Sequence, residues 1–402
     1  MQKRGGNLNQ LTPSLEARHK TSALNSKFND EHLSFSEYVS RNRAMIRKVR
    51  SLTQTSKLDK AVNGNSPFEL EPVGDNTAGK KNKYRRGILL THGLSDSPYV
   101  MHYVATCFQE AGFKVMAVLL PGHGTRPGDL LEVTWQEWAK TVAYGVDQLA
   151  FEVDEVYLGG YSAGGALSIY QGLQDERVRA LFLFAPALEI THRAAFAYLH
   201  KWISWLLPRQ KWVDIKQDID IYKYESFAKN TATQMYRLTQ ALVERLKQHQ
   251  LKIPVFAVAS VDDRTVHTSA TIAFMAQQQD PRNQLILYTT DQSKLVQVNP
   301  DENIVWVNSV VPEQKILSSA HTAILIAPED EHYGIDGDYA NCVHYYPQHL
   351  DKYDACQKHP KNYCLGEVSN ITPCNGIIRR LMYNPNFPAL KAAILKFIDH
   401  LS

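Results

Sequence analysis

The residues of this chain best spaced for chemistry are a serine, two candidate aspartates and a histidine, met in that order. Gly160-Tyr161-Ser162-Ala163-Gly164 sets the serine between glycines, after the apolar, strand-like stretch 156–159 and before the small-residue, helix-like stretch 165–170. A sharp strand-to-helix turn holds such a serine in a strained conformation with its Oγ exposed, and the glycines let the backbone close without a Cβ clash. The turn also aims the N–H of Ala163 at the place where an oxyanion would form. Without that context the pentapeptide is an ordinary glycine-rich turn.

Serine is a poor nucleophile until a base takes its proton and a third group orients the base. Strand ends are where a parallel sheet gathers its chemistry, so the partners should follow later strands. Asp262 and Asp263 come directly after the apolar stretch 254–260, and either could orient a histidine. Ser318-Ser319-Ala320-His321-Thr322 is a small-residue loop presenting one histidine beyond the last strand-like stretches. His332, in Asp330-Glu331-His332-Tyr333-Gly334, is its rival among acidic residues. His92-Gly93-Leu94 follows the strand-like 87–91. The backbone N–H of Leu94 is therefore the candidate second oxyanion donor, and His92 reads as a brace for that loop.

The elements that must position these groups alternate. Continuous apolar strands are expected at 87–91, 113–120, 156–159, 178–184, 254–260 and 283–288, with an extra one at 303–308. Between them lie helices at 98–111, where the apolar set repeats at i, i+3, i+4, i+7 and i+8 and includes Cys107, and from about 135 to 151, opened by a capping box at Thr134 and Glu137. The segment 389–401 closes the chain as an amphipathic helix. Alternation of this kind predicts an α/β fold with a mostly parallel, doubly wound sheet. Residues 1–84 read as a polar, basic, partly helical extension with a helix at 35–52, and 85–402 as the main domain.

Two segments interrupt the rhythm. Residues 188–250 form an inserted helical cap, in which 196–207 are apolar on most sides and three of the six tryptophans fall within eleven residues. Trp202, Trp205 and Leu206 are the candidate pocket residues there. A helix so apolar is either core packing of the cap or a wall for an acyl chain or lipid surface. Residues 335–384 form a cysteine-containing insertion. Cys342, Cys356, Cys364 and Cys374 are spaced C-x13-C-x7-C-x9-C, without the close pairs of structural zinc sites. Two disulfides are the expected state. His344, His349 and His359 lie among them and keep a metal as the alternative.

Composition narrows the function classes. A net charge of +3 and the lack of an aromatic-basic stacking pattern give no reason to expect nucleic acid as a partner. Residues 1–86 hold 17 Lys/Arg against 8 Asp/Glu, so the rest is net acidic. The basic arm is read as a solvated leader, with peripheral contact to anionic lipid as the other reading. No apolar run approaches a membrane span and no apolar signal region follows the N-terminus, which makes soluble and cytoplasmic the default expectation. The cysteine cluster pulls toward an extracytoplasmic compartment instead, because disulfides persist where the surroundings oxidise. Oligomeric state is not legible.

Four stretches resemble the α/β-hydrolase superfamily: Leu89-Leu90-Thr91-His92-Gly93-Leu94, Leu120-Pro121-Gly122-His123-Gly124, the Ser162 pentapeptide, and Asp263-Arg264-Thr265-Val266. Together they look like the branch of bacterial carboxylesterases and monoacylglycerol-lipase or lysophospholipase-type enzymes, over roughly residues 85–330. The resemblance implies an eight-stranded core, a cap inserted after the sixth strand, and ester hydrolysis through an acyl-enzyme. It selects Asp263 over Asp262, by the family's G-x-x-D-x-x-V pattern with Ser260 in place of the glycine. Ser162, Asp263 and His321 then form the triad, with no cofactor and no metal. Between acid and base the spacing is longer than the family's habit, which requires an insertion around 291–315. An ester or lipid-like small molecule is the expected substrate. An acyltransferase or thioesterase would use the same triad, and a binding protein on a dead hydrolase scaffold would lack part of it.

Overall fold

The computed structural model describes residues 14–52, 56–74, 83–189, 208–295, 303–358, 362–368, 374 and 376–401. In chain order they form α1 (Phe35–Arg50), α2 (Leu58–Asn65), β1 (Phe68–Leu70) and β2 (Tyr84–Thr91). Next come α3 (His102–Glu110), β3 (Lys114–Val118), α4 (Trp135–Glu152), β4 (Val153–Tyr161), α5 (Ala163–Gly172) and β5 (Val178–Phe184). A short hairpin-like pair, β6 (Trp212–Asp214) and β7 (Phe227–Ala228), precedes α6 (Lys229–Gln248). The rest runs β8 (Val255–Ser260), α7 (Thr268–Ala276), β9 (Gln284–Thr289), α8 (Gln292–Leu295), β10 (Ile304–Asn308), α9 (Leu350–Gln357), β11 (Tyr363–Gly366), β12 (Ile377–Arg380) and α10 (Phe387–Asp399).

Eight strands form one sheet in the order β1-β3-β2-β4-β5-β8-β9-β10. Only β1 runs antiparallel to its neighbour. Side chains alternate across it, as a period of two requires. Leu89, Met116, Leu158 and Leu183 face one layer with Trp138 and Leu149 of α4, Leu167 of α5 and Leu238 of α6. Ile88, Leu90, Val115 and Phe182 face the other, against Phe108 of α3 and Leu390 and Phe397 of α10. Cys107 is buried in that second layer. The α/β, mostly parallel, doubly wound architecture is thus present, with the last strand at 304–308.

The count of strands before the interruption differs from what the resemblance implied. The interruption follows β5, the fifth strand of this sheet, and not a sixth, because the eighth strand is made up by β10 on the far edge. Within 188–250, α6 belongs with the sheet-covering helices, since Leu238 and Leu242 are buried in the same layer as α4 and α5. Trp202, Trp205 and Leu206 lie outside the described residues.

The N-terminal arm is not a solvated leader over its described part. Phe28, Phe35, Tyr38, Ile46 and Val49 are buried, and Phe28, Phe35 and Tyr38 pack with Tyr144 of α4. Tyr38 OH donates to Leu119 O and accepts from Leu119 N–H, each at 3.0 Å. Glu137 helps tie the arm down. The Thr134 side chain accepts from Glu137 N–H as a cap should, but the Glu137 carboxylate accepts Phe28 N–H at 2.8 Å. The reciprocal box is at α1, between Ser34 and Glu37.

Beyond β10 the cysteine-bearing segment builds a two-stranded parallel sheet, β11 with β12. Cys342–Cys356 and Cys364–Cys374 are disulfides, and Cys107 is free. Among the described residues no helix is long and apolar enough to cross a membrane.

The turn from β4 to α5 is the tightest feature of the fold. Ser162 sits at φ 54°, ψ −113°, in a region that costs a non-glycine residue on the order of 1–3 kcal/mol. The surrounding carbonyls and amides hold it there: Ser162 N–H donates to Phe184 O at 2.9 Å, and Ser162 O accepts from Gly165 at 3.0 Å and Ala187 at 2.9 Å. A Cβ on Gly160 would collide with Gly164 O, and one on Gly164 with Thr91 O.

Two outcomes check this description. Alkylation of the denatured, unreduced protein should find one free thiol of the five cysteines, and all five after reduction. Gly164→Ala should lower stability in denaturant melts by about 3 kcal/mol or more, because backbone cannot yield there. Gly172→Ala on the same helix, where a Cβ meets only side-chain ends at 3.3 Å and beyond, should change it by less than about 1 kcal/mol.

Candidate active site

Segments that follow β2, β4, β8 and β10 carry the candidate residues. The β4–α5 turn carries Ser162 itself. The turn after β8 carries Asp263, the loop after β2 carries Leu94, and His321 opens a short 3-10 turn at His321–Ala323. His321 Nε2 lies 3.1 Å from Ser162 Oγ, and His321 Nδ1 lies 2.6 Å from Asp263 Oδ2. All three side chains are buried. With Nδ1–H donating to the carboxylate, Nε2 is left to accept from the serine O–H.

Asp263 is fixed before it meets the histidine. Its Oδ1 accepts from Thr265 N–H at 2.6 Å and Val266 N–H at 3.0 Å. Burial alone would raise its pKa, but His321 and these amides outweigh burial and hold the carboxyl below the usual range. Asp262 faces elsewhere. Its two oxygens accept from Thr290 Oγ1 at 2.9 Å and Ser309 Oγ at 2.8 Å, pinning the ends of β9 and β10.

His332 is not brought to the serine. Its Nε2 meets Asp220 Oδ1 at 3.2 Å and its Nδ1 meets Asp338. Burial lowers its pKa, and the two carboxylates more than reverse that. A histidine so engaged serves as the centre of an ionic knot joining residues 220 and 338.

Ala163 is the first residue of α5, so its N–H has no carbonyl one turn back to bond. Leu94 lies in the loop after β2, which other residues hold in shape. His92 meets Gly93 O through Nδ1 at 2.8 Å and accepts Leu120 N–H on Nε2 at 3.1 Å. Burial pushes the His92 pKa far down, and that of neighbouring His123 down to about 4, so both are neutral struts. Lys223 pairs with Asp96 at 2.7 Å, and Tyr224 N–H donates to Ser95 O at 2.8 Å. Residues 223–224 thereby bolt the far side of the Leu94 loop.

Several contacts to His321 were not legible from sequence. Tyr161 OH donates to His321 O at 3.0 Å, and Glu367 Oε2 accepts His321 N–H at 3.2 Å. Tyr161 is inside the serine motif, where only the glycines and the serine carry a pattern. Glu367 comes from the cysteine-bearing segment, and nothing in its spacing marks it as a neighbour of His321.

Comparison with known proteins bears on the family of the chain. The Hydrolase_4 family model (serine aminopeptidase, S33) matches residues 82–290, just over half of the chain. A thermostable monoacylglycerol lipase of Bacillus sp. (strain H-257) is 33% identical over 109 residues, 27% of this chain and 44% of that protein. The match therefore spans less than half the length of that relative. Among solved structures, one from a study of LipS and LipT, two metagenome-derived lipolytic enzymes, aligns at 20% identity over 61% of this chain and 87% of that one, with a TM-score of 0.45. The monoacylglycerol lipase of Paleococcus ferrophilus aligns at 17% identity over 56% and 88%, with a TM-score of 0.43. The chain belongs to the Hydrolase_4 (serine aminopeptidase, S33) family, in the α/β-hydrolase superfamily.

Proposed function

We propose that this protein is a serine hydrolase of carboxylic esters, with Ser162 as nucleophile, His321 as general base and acid, and Asp263 as the orienting carboxylate. The observation that carries the reading is the chain of two short contacts, serine to histidine and histidine to aspartate, on a strained elbow. Ser162 Oγ adds to the ester carbonyl while His321 Nε2 takes its proton, and Asp263 stabilises the imidazolium without accepting the proton itself. The carbonyl oxygen, now negative, is held by the N–H groups of Leu94 and Ala163, each contributing on the order of 3 kcal/mol. Collapse of the tetrahedral adduct breaks the bond to the alcohol oxygen, which takes the proton from Nε2. Water then repeats the sequence on the acyl-enzyme, releasing the acid and restoring Ser162.

The relative of 33% identity bears the name monoacylglycerol lipase, which supports a lipid-like ester as substrate. The apolar stretch 196–207 supports an acyl chain of medium or greater length, with Trp202, Trp205 and Leu206 as its proposed wall. The family's description names an aminopeptidase, and the same triad would open an amide. Ester substrates are favoured by the named relative and by the apolar stretch.

A p-nitrophenyl ester series of increasing acyl length, run beside an aminoacyl p-nitroanilide, tests the reading. Turnover should peak at medium or longer esters, exceed the anilide, and vanish in Ser162→Ala. Equal turnover by wild type and Ser162→Ala on every substrate would refute it, and product analysis with added alcohol would reveal acyl transfer. Asp263→Asn should reduce kcat by about four orders of magnitude, through loss of the histidine tautomer. Asp262→Asn should leave kcat within a few-fold, since that carboxylate braces strand ends.

A further inference from the structure

We propose that the ion pair of buried Glu367 and partly buried Arg380, carried by the disulfide-bonded segment, is a positioning device that sets the acid and the base of the triad against each other. The inference rests on the serine-hydrolase reading above.

Glu367 is nearly inaccessible, at 4% exposure, and every direction around its carboxylate is used. Oε2 accepts from His321 N–H at 3.2 Å and from Arg380 Nη2 at 2.9 Å. Oε1 accepts from Val368 N–H at 3.0 Å and lies 2.9 Å from Arg380 Nε. The same Arg380 Nη2 also donates to Thr265 Oγ1 at 2.5 Å. Thr265 N–H in turn donates to Asp263 Oδ1 at 2.6 Å. One end of the ion pair therefore grips the backbone of the base and the other grips the turn that holds the acid. The two loops are 58 residues apart in sequence and share no strand, so something outside both must fix their distance.

The strands around the pair reinforce it. The approach to His321 bridges to β11 at one point: Leu317 N–H donates to Leu365 O at 2.8 Å and Leu365 N–H to Lys315 O at 2.9 Å. Glu367 N–H donates to Ser318 Oγ at 2.9 Å, and Thr322 Oγ1 to Leu381 O at 2.8 Å. His321 is thus held from both sides by residues 365–381. The Cys364–Cys374 disulfide crosses from β11 toward the start of β12, the two strands that lead to Glu367 and Arg380.

A neutral hydrogen-bonded pair could brace two loops, and burying the Glu367 carboxylate is costly unless its charge does something more. Here Glu367 touches the backbone of the residue whose ring becomes an imidazolium during turnover, and Arg380 lies directly behind Glu367. The charged and titratable groups around His321 are Asp263 at Nδ1, Tyr161 with its ring 5.2 Å away, Glu367 at the backbone, and Arg380 behind Glu367. Burial pulls the Arg380 pKa down, but Glu367 and, further off, Tyr161 and Asp263 outweigh it. Glu367 balances the Arg380 charge that would otherwise oppose a cationic histidine.

The test compares Glu367→Gln, Arg380→Gln and the double variant with wild type and Ser162→Ala, in p-nitrophenyl ester turnover over pH and in denaturant melts. Glu367→Gln keeps one oxygen to accept His321 N–H and loses the charge together with the second accepting oxygen. It should lower kcat about tenfold or more with KM within about twofold, because alignment and not binding is disturbed. The acidic limb of kcat/KM should move down by about half a unit in Glu367→Gln, where Arg380 is left uncompensated, and up by about as much in Arg380→Gln. In the double variant the limb should return toward the wild-type midpoint while kcat stays low. Wild-type kcat in both single variants would overturn the inference while Ser162→Ala remains inactive. So would loss of activity that only follows loss of stability, with neither limb displaced. Turnover surviving in Ser162→Ala would instead remove the hydrolase reading beneath it.

Discussion

The conformation of Ser162 is the constraint around which the other elements are arranged. A serine at φ 54° is unfavourable alone, and it persists because several hydrogen bonds converge on one peptide unit. Phe184 at the end of β5 takes its N–H, while Gly165 in α5 and Ala187 beyond β5 share its carbonyl. Each of those partners is immobile for its own reason. Phe184 is fully buried at the end of β5, and Gly164, beside Gly165, lies hard against the carbonyl of Thr91 at the end of β2. Three adjacent parallel strands, β2, β4 and β5, must therefore end at one level. The strain is local and its support is spread through the sheet, which is how a strained residue is retained in a stable fold.

The same convergence explains the electrostatics. A carboxylate buried as deeply as Asp263 stays ionised only because two backbone amides and the histidine are already aimed at it. His92 and His123, buried without carboxylates, go the other way and stay neutral. His332, between Asp220 and Asp338, is drawn toward its charged form. The charge of a histidine here is set by what surrounds it: burial alone keeps His92 and His123 neutral, and two carboxylates draw His332 the other way. That is why the residue type alone could not separate His321 from His332, whereas the loop each sits in could.

Most of the sheet was legible because buried parallel strands are continuous apolar runs and the helices between them repeat at 3.6 residues. The stretches 87–91, 178–184 and 254–260 fall within a residue or a few of β2, β5 and β8. Ser162, Asp263 and His321 were legible as candidates because strand-end loops concentrate such residues, and the structure brings them within hydrogen-bonding distance. The arm was misread because its buried stripe is sparse: Phe35, Tyr38, Ile46 and Val49 are separated by charged residues, and Asn42 and Arg50 are buried among them. Arg50 is satisfied inside the protein by Gly124 O at 2.7 Å, a partner 74 residues away. Composition counts such an arginine as solvated charge. Glu367 and Arg380 escaped for the same reason, since their significance lies in partners distant along the chain.

The extent of the family match carries a last consequence. It ends at residue 290, before β10, His321 and the cysteine-bearing segment. The matched region contains the elbow, the Leu94 loop and Asp263, but His321, the proposed base, lies outside it. The loop that brings a histidine to within 3.1 Å of Ser162 follows β10, the edge strand of the main sheet, at a distance of more than ten residues along the chain. On the way it bridges to β11 at Ile316 and Leu365, and Leu381 and Glu367 hold residues 321–322. Long insertions are tolerated thermodynamically because loop-closure entropy grows slowly with length, but tolerance does not position an atom. Here the segment that lengthens the chain also supplies the contacts that hold His321. The cysteine-bearing residues are therefore structurally part of the site, and the elements outside the matched region complete what the shared core begins.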